Sequence, residues 1–200
     1  MIKHDCVCVY LTFFLSSQMH RQLKGSNRPI EVRIQEHQRQ RARQRTQEDG
    51  KKISSSGYST GQNRFTRVFV GLLGEEIVAD YLGLDRKTDT QHYDFRTRNN
   101  VKIEVKTKKT KDNRMPKPHF EASFCDRNKR QRCDYYVFVR VSVNYEKAWI
   151  LGQCHKQDFL IRAVRFKKGD YDPRNNYRVH TDCFNMYIAD LNDINLLKGI

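Results

Sequence analysis

The stretch KIEVKTK at residues 102–108, preceded by YDFR at 93–96, decides the fold of this chain. Its apolar and charged members alternate, and a period of two is typical of a β-strand with one buried face. Glu104 and Lys106 therefore project side by side from the other face, which is predicted to be polar. A glutamate among lysines, in a chain whose net charge is already +15, calls for a chemical explanation.

The two stretches are predicted to form a β-hairpin, and the pattern of apolar residues fixes its register. A two-residue loop would place Phe95 opposite Glu104, so that an aromatic ring would face a charge. A three-residue loop ending at Asn100 places Phe95 opposite Ile103 instead. Asp94 then lies opposite Glu104, and each face has one character. Asn100 suits the left-handed conformation that such loops usually need.

Asp94 and Glu104 require a positive charge between them in this register. Two carboxylates at about 5 Å repel by about 3 kcal/mol at an effective dielectric constant of about 20. Lys106 is one source of positive charge, and a divalent cation such as Mg²⁺ with oxygen ligands is the other. A cation beside a lysine activates water and neutralises charge on phosphorus, which predicts phosphodiester hydrolysis. The alternative is an ordinary solvated Glu–Lys pair on a strand.

The composition favours a nucleic-acid partner. The chain has 200 residues, which suits one domain with extensions, and 38% of them are hydrophobic, enough for one modest core. It carries 38 Lys and Arg against 23 Asp and Glu, with an isoelectric point near 9.7. Such a surface favours a polyanion, with nucleic acid as the first expectation and an anionic membrane surface as the second.

Neither export nor membrane insertion is expected. The apolar run at residues 6–15 is far too short to span a bilayer, and Asp5 does not suit a signal peptide. The run is either a buried first strand or sequence upstream of a start at Met19. The six cysteines form no C-x-x-C pair, so we expect reduced thiols in a cytoplasmic protein rather than a disulfide scaffold or a zinc or iron–sulfur site.

The N-terminal part differs from the rest in composition. Residues 19–67 carry twelve Lys and Arg against four Asp and Glu, and between residues 35 and 52 no aliphatic residue is larger than Ala42. Such a segment has little to bury. Residues 1–58 are therefore predicted to be an arm, either a solvated helix or disordered, that ends in a linker at 54–61. Its phosphate-binding candidates are Arg41, Arg43 and Arg45.

The remaining chain, 59–200, is predicted to be one α/β or α+β domain. A strongly patterned helix ends near Gly83, and a second helix is predicted at 155–166. The apolar run at 135–139 is typical of a strand covered on both faces. The predicted strands cover 92–97, 101–108, 119–124, 133–143, 147–152 and 184–191. The strand at 147–152 is predicted to form a hairpin with the strand at 133–143.

Four of these segments together resemble the PD-(D/E)xK nucleases, the restriction-endonuclease-like superfamily. The matching stretches are GLLGEEIVADYL at 71–82, YDF at 93–95, IEVKTK at 103–108 and CDYYVFV at 133–139. The resemblance covers residues 71–152, with Tyr93 where the motif's name has proline. It implies a mixed central β-sheet flanked by helices and DNA cleavage with Mg²⁺ or Mn²⁺.

The resemblance also implies a role for each site residue. Asp94 and Glu104 would bind the metal, and Lys106 would position the attacking water and stabilise transition-state charge. Glu75 on the helix would assist, with Glu76 as the alternative. The spelling G-x-x-G-E is similar to small resolvase-like and repair-like members, and cutting of branched junctions would suit a homodimer with two-fold symmetry.

A basic loop follows the E-x-K strand and is predicted to bind DNA phosphates. Its candidates are Lys108, Lys109, Lys111 and Arg114. The sequence indicates no exposed aromatic platform of the kind that single-strand binders use, which makes RNA the less favoured substrate. The other function class that remains is a non-catalytic basic nucleic-acid-binding protein.

Overall fold

The computed structural model of the chain describes residues 27–53, 62–85, 92–174 and 176–200. The apolar run at 6–15 and the linker at 54–61 lie outside these residues. No helix within the described ranges is long and apolar enough to cross a membrane. The helices are α1 (Glu36–Ile53), α2 (Gln62–Leu82) and α3 (Lys156–Arg162); the strands are β1 (Ile30–Arg33), β2 (Phe95–Arg96), β3 (Lys102–Lys109), β4 (Glu121–Cys125), β5 (Tyr135–Val141), β6 (Lys147–His155), β7 (Val164–Phe166), β8 (Tyr171–Asp172), β9 (Tyr177–Arg178) and β10 (Cys183–Tyr187).

A curled five-stranded sheet with the order β1-β6-β5-β3-β2 organises the molecule. Strands β3 and β5 pair in parallel, whereas the other neighbours are antiparallel. A second sheet has the order β4-β10-β7, and β8 pairs with β9. This mixed arrangement of helices and strands is consistent with the predicted α+β class.

Strand β5 separates two hydrophobic cores, as its continuous apolar run predicts. Val137 and Val139 face the core that helices α1 and α2 cover. Tyr136 and Phe138 face the other core, which the second sheet and α3 cover. Because successive side chains of a strand point to opposite faces, an unbroken apolar run is what a strand between two cores requires.

The predicted register of the first hairpin is confirmed. Phe95 pairs with Ile103, and both are buried. The loop closes through a bond from the backbone N–H of Thr97 to the carbonyl of Val101, 2.9 Å from nitrogen to oxygen. Asn100 has a φ of 65°, the left-handed conformation that the loop was predicted to need.

The prediction of a separate N-terminal arm ending at residue 58 differs from the structure. Strand β1 extends the central sheet by pairing with β6, and α1 packs against α2. Helix α1 buries Gln38, Ala42 and Thr46, which recur at every fourth position. Gln38 donates to the carboxylate of Asp80 on α2 at 2.6 Å. Small and hydrogen-bonded side chains thus allow a helix without large apolar residues to pack.

Two predicted boundaries near the C-terminus are also wrong. The helix predicted at 155–166 ends at Arg162, because Val164–Phe166 pairs with β10 and buries Phe166. The strand predicted at 184–191 ends at Tyr187 and continues as a 3₁₀ turn at Ile188–Asp190. Pairing with distant strands decided both boundaries, and local periodicity does not report such pairing.

Gly74 lets α2 approach β3, and its replacement is expected to destabilise the fold. A Cβ built at Gly74 would lie 1.8 Å from Oγ1 of Thr107, whereas one at Gly71 would meet nothing within 4 Å. Gly74→Ala should lower the free energy of unfolding by about 1–3 kcal/mol through overpacking. Gly71→Ala, the control, should raise it by up to about 1 kcal/mol. Urea unfolding measures both, and equal stability of the two variants would contradict the close packing.

Candidate active site

Glu104 and Lys106 lie on the sheet face that carries the second core, and this face is not the solvated surface that their alternation predicted. Their side chains are 7% and 13% exposed, and Lys106 Nζ lies 2.6 Å from Glu104 Oε1. Gln131, in the segment before β5, donates to the same oxygen of Glu104 at 2.5 Å and accepts from Lys106 Nζ at 2.8 Å. The three side chains form a closed triangle of hydrogen bonds.

Asp94 lies beside this triangle at the start of the hairpin. Its backbone N–H donates to the carbonyl of Ile103, and its Oδ2 accepts the backbone N–H of Val105 at 2.6 Å. Desolvation, and then the negative charges of Glu75 and Glu104, raise the pKa of Asp94 well above its ordinary value, although Val105 and Lys106 oppose the shift. The carboxylates are thus close enough to repel, as the predicted register required.

Of the two glutamates on α2, Glu75 is the one whose charge acts on Asp94. Glu76 is 1% exposed and points to α1, where Arg45 and Arg41 lie 3.3 and 3.5 Å from its carboxylate. Arg45 also contacts Glu75 at 2.8 Å. Helix α1 therefore presents arginines to both glutamates, and of the two only Glu75 is among the groups whose charge raises the pKa of Asp94.

The carboxylates around Lys106 fit a divalent cation. Within the described residues, Glu104 Oε2 is buried and has no hydrogen-bond partner, although a buried carboxylate oxygen normally has one. Desolvation, followed by the charges of Glu75 and Glu104, outweighs the effect of Lys106 on the pKa of Asp94, so a further positive charge would favour the ionised carboxylate. The described part of the chain holds no group of three or more ligating side chains. Two carboxylates with water and a substrate phosphate are nevertheless the usual environment of Mg²⁺.

Lys106 borders a wide basic cleft of about 1100 Å³. All four residues predicted in the basic loop, Lys108, Lys109, Lys111 and Arg114, line it with Lys106. In total nine Lys and Arg face three Asp and Glu, and the other members are Arg67, Lys117, Arg127, Arg140, Asp112, Glu121 and Asp172. Desolvation and the charge of Arg140 lower the pKa of Lys108 to about 8. The cleft is suited to an anionic ligand that extends to Lys106.

The three arginines of α1 predicted to bind phosphate each lie beside a carboxylate of the protein, although the side chains of Arg41 and Arg43 are 45% and 59% exposed. Arg41 and Arg45 lie against the carboxylates of Glu76 and Glu75, and Arg43 lies 3.8 Å from Glu36. None of the three lines the cleft within the described residues. Charge counting does not reveal these contacts, because the acidic partners of Arg41 and Arg45 lie on α2, 35 and 30 residues further along the chain.

The cysteines of the described region are free thiols. Cys133 and Cys154 are buried in the second core, where desolvation raises the pKa of Cys133 to about 11 and that of Cys154 to about 12. Cys125 and Cys183 are cross-strand neighbours in β4 and β10. Burial thus explains two of the four thiols without a metal.

Sequence reasoning missed two residues of the site region. Gln131 lies in an irregular segment, and no local pattern distinguishes it from the adjacent basic residues. Arg140 was hidden in the apolar strand β5; it donates to the carbonyl of Glu121 at 2.6 Å and lines the cleft. A charged residue inside a run that is otherwise apolar was the available signal for Arg140.

Comparison of the chain with models of known protein families and with curated proteins finds no match in either.

Proposed function

We propose that this protein is a metal-dependent DNA nuclease of the PD-(D/E)xK type with a restriction-endonuclease-like fold. The observation that carries the proposal is the group of half-buried Asp94, buried Glu104 and half-buried Lys106, which has Glu75 nearby and meets the basic cleft at Lys106. Isolated Glu–Lys pairs on strands are usually solvated, whereas this pair is desolvated and lies beside a second carboxylate.

The arrangement of elements supports the same proposal. The E-x-K strand β3 lies inside a mixed sheet, parallel to the apolar strand β5. Helix α2 crosses β3 closely at Gly74 and brings Glu75 toward Asp94. The resemblance implies a mixed sheet flanked by helices, and these contacts support that expectation. A cytoplasmic location and a homodimer that acts on branched DNA belong to the same proposal.

Each side chain has a distinct task in the proposed reaction. Asp94 and Glu104 would hold Mg²⁺ or Mn²⁺, with Glu75 assisting directly or through water. When bound, the cation supplies Lewis-acid stabilisation of charge on the phosphate and activates water. Lys106 uses two of its three N–H donors on Glu104 and Gln131, so the third can orient water or stabilise developing negative charge. The basic side chains of the cleft position the phosphate backbone.

One observation favours a non-catalytic nucleic-acid-binding protein as the second candidate. Lys106 and Glu104 already neutralise each other at 2.6 Å, and an ion pair of this kind can be purely structural. In that case the cleft would bind DNA, and the carboxylates would have no role in chemistry.

Nicking of supercoiled plasmid tests the proposal. We expect conversion to open circles with Mg²⁺ or Mn²⁺ and none with EDTA, because in the proposed reaction the cation activates the attacking water. Binding of the same plasmid, measured in EDTA, should persist. If the protein bound DNA but cut neither plasmid nor linear nor branched DNA with either cation, the result would support the second candidate instead.

A further inference from the structure

Two aromatic rings are exposed in the cleft, which contradicts the prediction that the protein lacks an aromatic platform. Phe120 is 45% exposed and Tyr177 is 44% exposed, and both line the cleft beside its basic side chains. Met115, another lining residue, is 47% exposed. Large apolar side chains normally lie inside a protein, so a group of them in a basic cleft indicates a ligand with apolar faces as well as charge.

Both rings are held in place by neighbouring groups. The His119 ring meets the Phe120 ring edge to face at 5.1 Å, and His180 meets Tyr177 in the same manner at 5.3 Å. The hydroxyl of Tyr177 accepts the backbone N–H of His180 at 3.3 Å. Contacts of this kind restrict an exposed ring, and restriction before binding lowers the entropy lost when a ligand stacks on it.

The combination of exposed rings and basic side chains in the cleft favours an unpaired strand over a duplex as the ligand. In a duplex each base is stacked on its neighbours and presents only its edges in the grooves, so an exposed ring finds no base face to contact. An unpaired strand offers base faces and phosphates together, and proteins that bind such strands use aromatic rings along a positively charged groove.

We propose that this cleft binds an unpaired DNA strand, with bases stacked on Phe120 and Tyr177 and phosphates held by Lys108 and the other basic side chains. The choice of DNA rests on the proposed nuclease function. The candidate nuclease site at Lys106 would then act on DNA that contains a single-stranded segment, such as an overhang, a flap or the opened arm of a junction.

Binding measured in EDTA tests this proposal without cleavage. Fluorescence anisotropy would compare a labelled single strand of about 20 nucleotides, which exceeds typical single-strand site sizes, with the matching duplex. Phe120→Ala and Tyr177→Ala should each weaken single-strand binding about 5- to 100-fold, because one base loses its stacking partner. Duplex binding, which depends on phosphate contacts, should change less than about 2-fold.

Matched variants separate stacking from other effects. Tyr177→Phe keeps the stacking ring and loses only the long hydroxyl contact with His180, so it should bind the single strand much more tightly than Tyr177→Ala. Phe65→Ala removes a ring of α2 that is 47% exposed outside the cleft lining and should change neither affinity. Three results would each overturn the proposal. They are single-strand binding that is unchanged in both alanine variants, equal losses of affinity for single strand and duplex, and tighter binding of RNA than of DNA of the same sequence.

The outcome is independent of the nuclease assay. Ring-dependent binding of a single strand by a protein that cuts no DNA would support this inference and refute the proposed function. If the protein nicked DNA with metal but Phe120→Ala and Tyr177→Ala left its single-strand affinity unchanged, only this inference would be refuted.

Discussion

Asp94→Asn is expected to abolish metal-dependent cleavage while preserving the fold. The amide oxygen of asparagine can still accept the backbone N–H of Val105, which Asp94 Oδ2 now accepts at 2.6 Å. The substitution removes a carboxylate that would bind the cation, and we expect nicking to slow by at least about 10²–10³-fold, the scale of a group that stabilises transition-state charge. Plasmid nicking with Mg²⁺ measures the loss.

A thermal melt in the absence of DNA gives a second measurement of the same variant. A cation that binds only the folded protein stabilises it by about 2.7 kcal/mol at one hundred times its dissociation constant. Mg²⁺ should therefore raise the Tm of the wild type but not that of Asp94→Asn. Without cation, the variant should be at least as stable as the wild type at neutral pH, because it removes a carboxylate whose ionisation burial and neighbouring charge oppose.

Asp112→Asn is the matched control for this change. It also removes one carboxylate charge, but Asp112 lines the cleft on the basic loop, where it accepts from Arg114. Its nicking rate and its response to Mg²⁺ should match those of the wild type. If Asp94→Asn nicked as fast as this control, catalysis would not depend on the proposed carboxylates.

The hairpin shows how much of the candidate site could be predicted from sequence. Only one register kept Phe95 and Ile103 on the same face, and that register also placed Asp94 near Glu104. The prediction succeeded because the information is local: strand parity and a three-residue loop ending at Asn100 fix the pairing. The apolar run of β5 was equally informative, since burial on both faces leaves no position for a polar side chain, except where Arg140 reaches the cleft.

Features that depend on distant partners could not be predicted. Gln38 and Thr46 of α1 look solvated in the sequence, yet both are buried: Gln38 donates to Asp80 of α2, and the hydroxyl of Thr46 donates to the carbonyl of Ala42. The face of Glu104 and Lys106 looks polar, yet the segment that carries Gln131 covers it. In both cases tertiary contacts, rather than periodicity, decide which side chains lose water.

This burial changes what a substitution of Lys106 will do. On a solvated strand, removal of the lysine would leave the fold intact, whereas here it leaves the carboxylate of Glu104, whose side chain is 7% exposed, without its cationic partner. Breaking a buried pair in this way typically costs about 3–5 kcal/mol of folding free energy. Lys106→Met, which keeps the apolar stem, should therefore lower both stability and nicking, and urea unfolding will show the first effect.

The double variant Lys106→Met/Glu104→Gln separates the two effects. A neutral amide at position 104 no longer needs the ammonium group, and Gln131 can still bond to it, so stability should recover by about 0.5–3 kcal/mol relative to Lys106→Met. Nicking should not recover, because the proposed catalytic ammonium and a metal ligand are both absent. DNA binding in EDTA should persist in both variants, since eight other basic side chains line the cleft. If Lys106→Met were as stable as the wild type, the buried ion pair would be contradicted. If the double variant regained nicking, neither Lys106 nor Glu104 would be needed for cleavage.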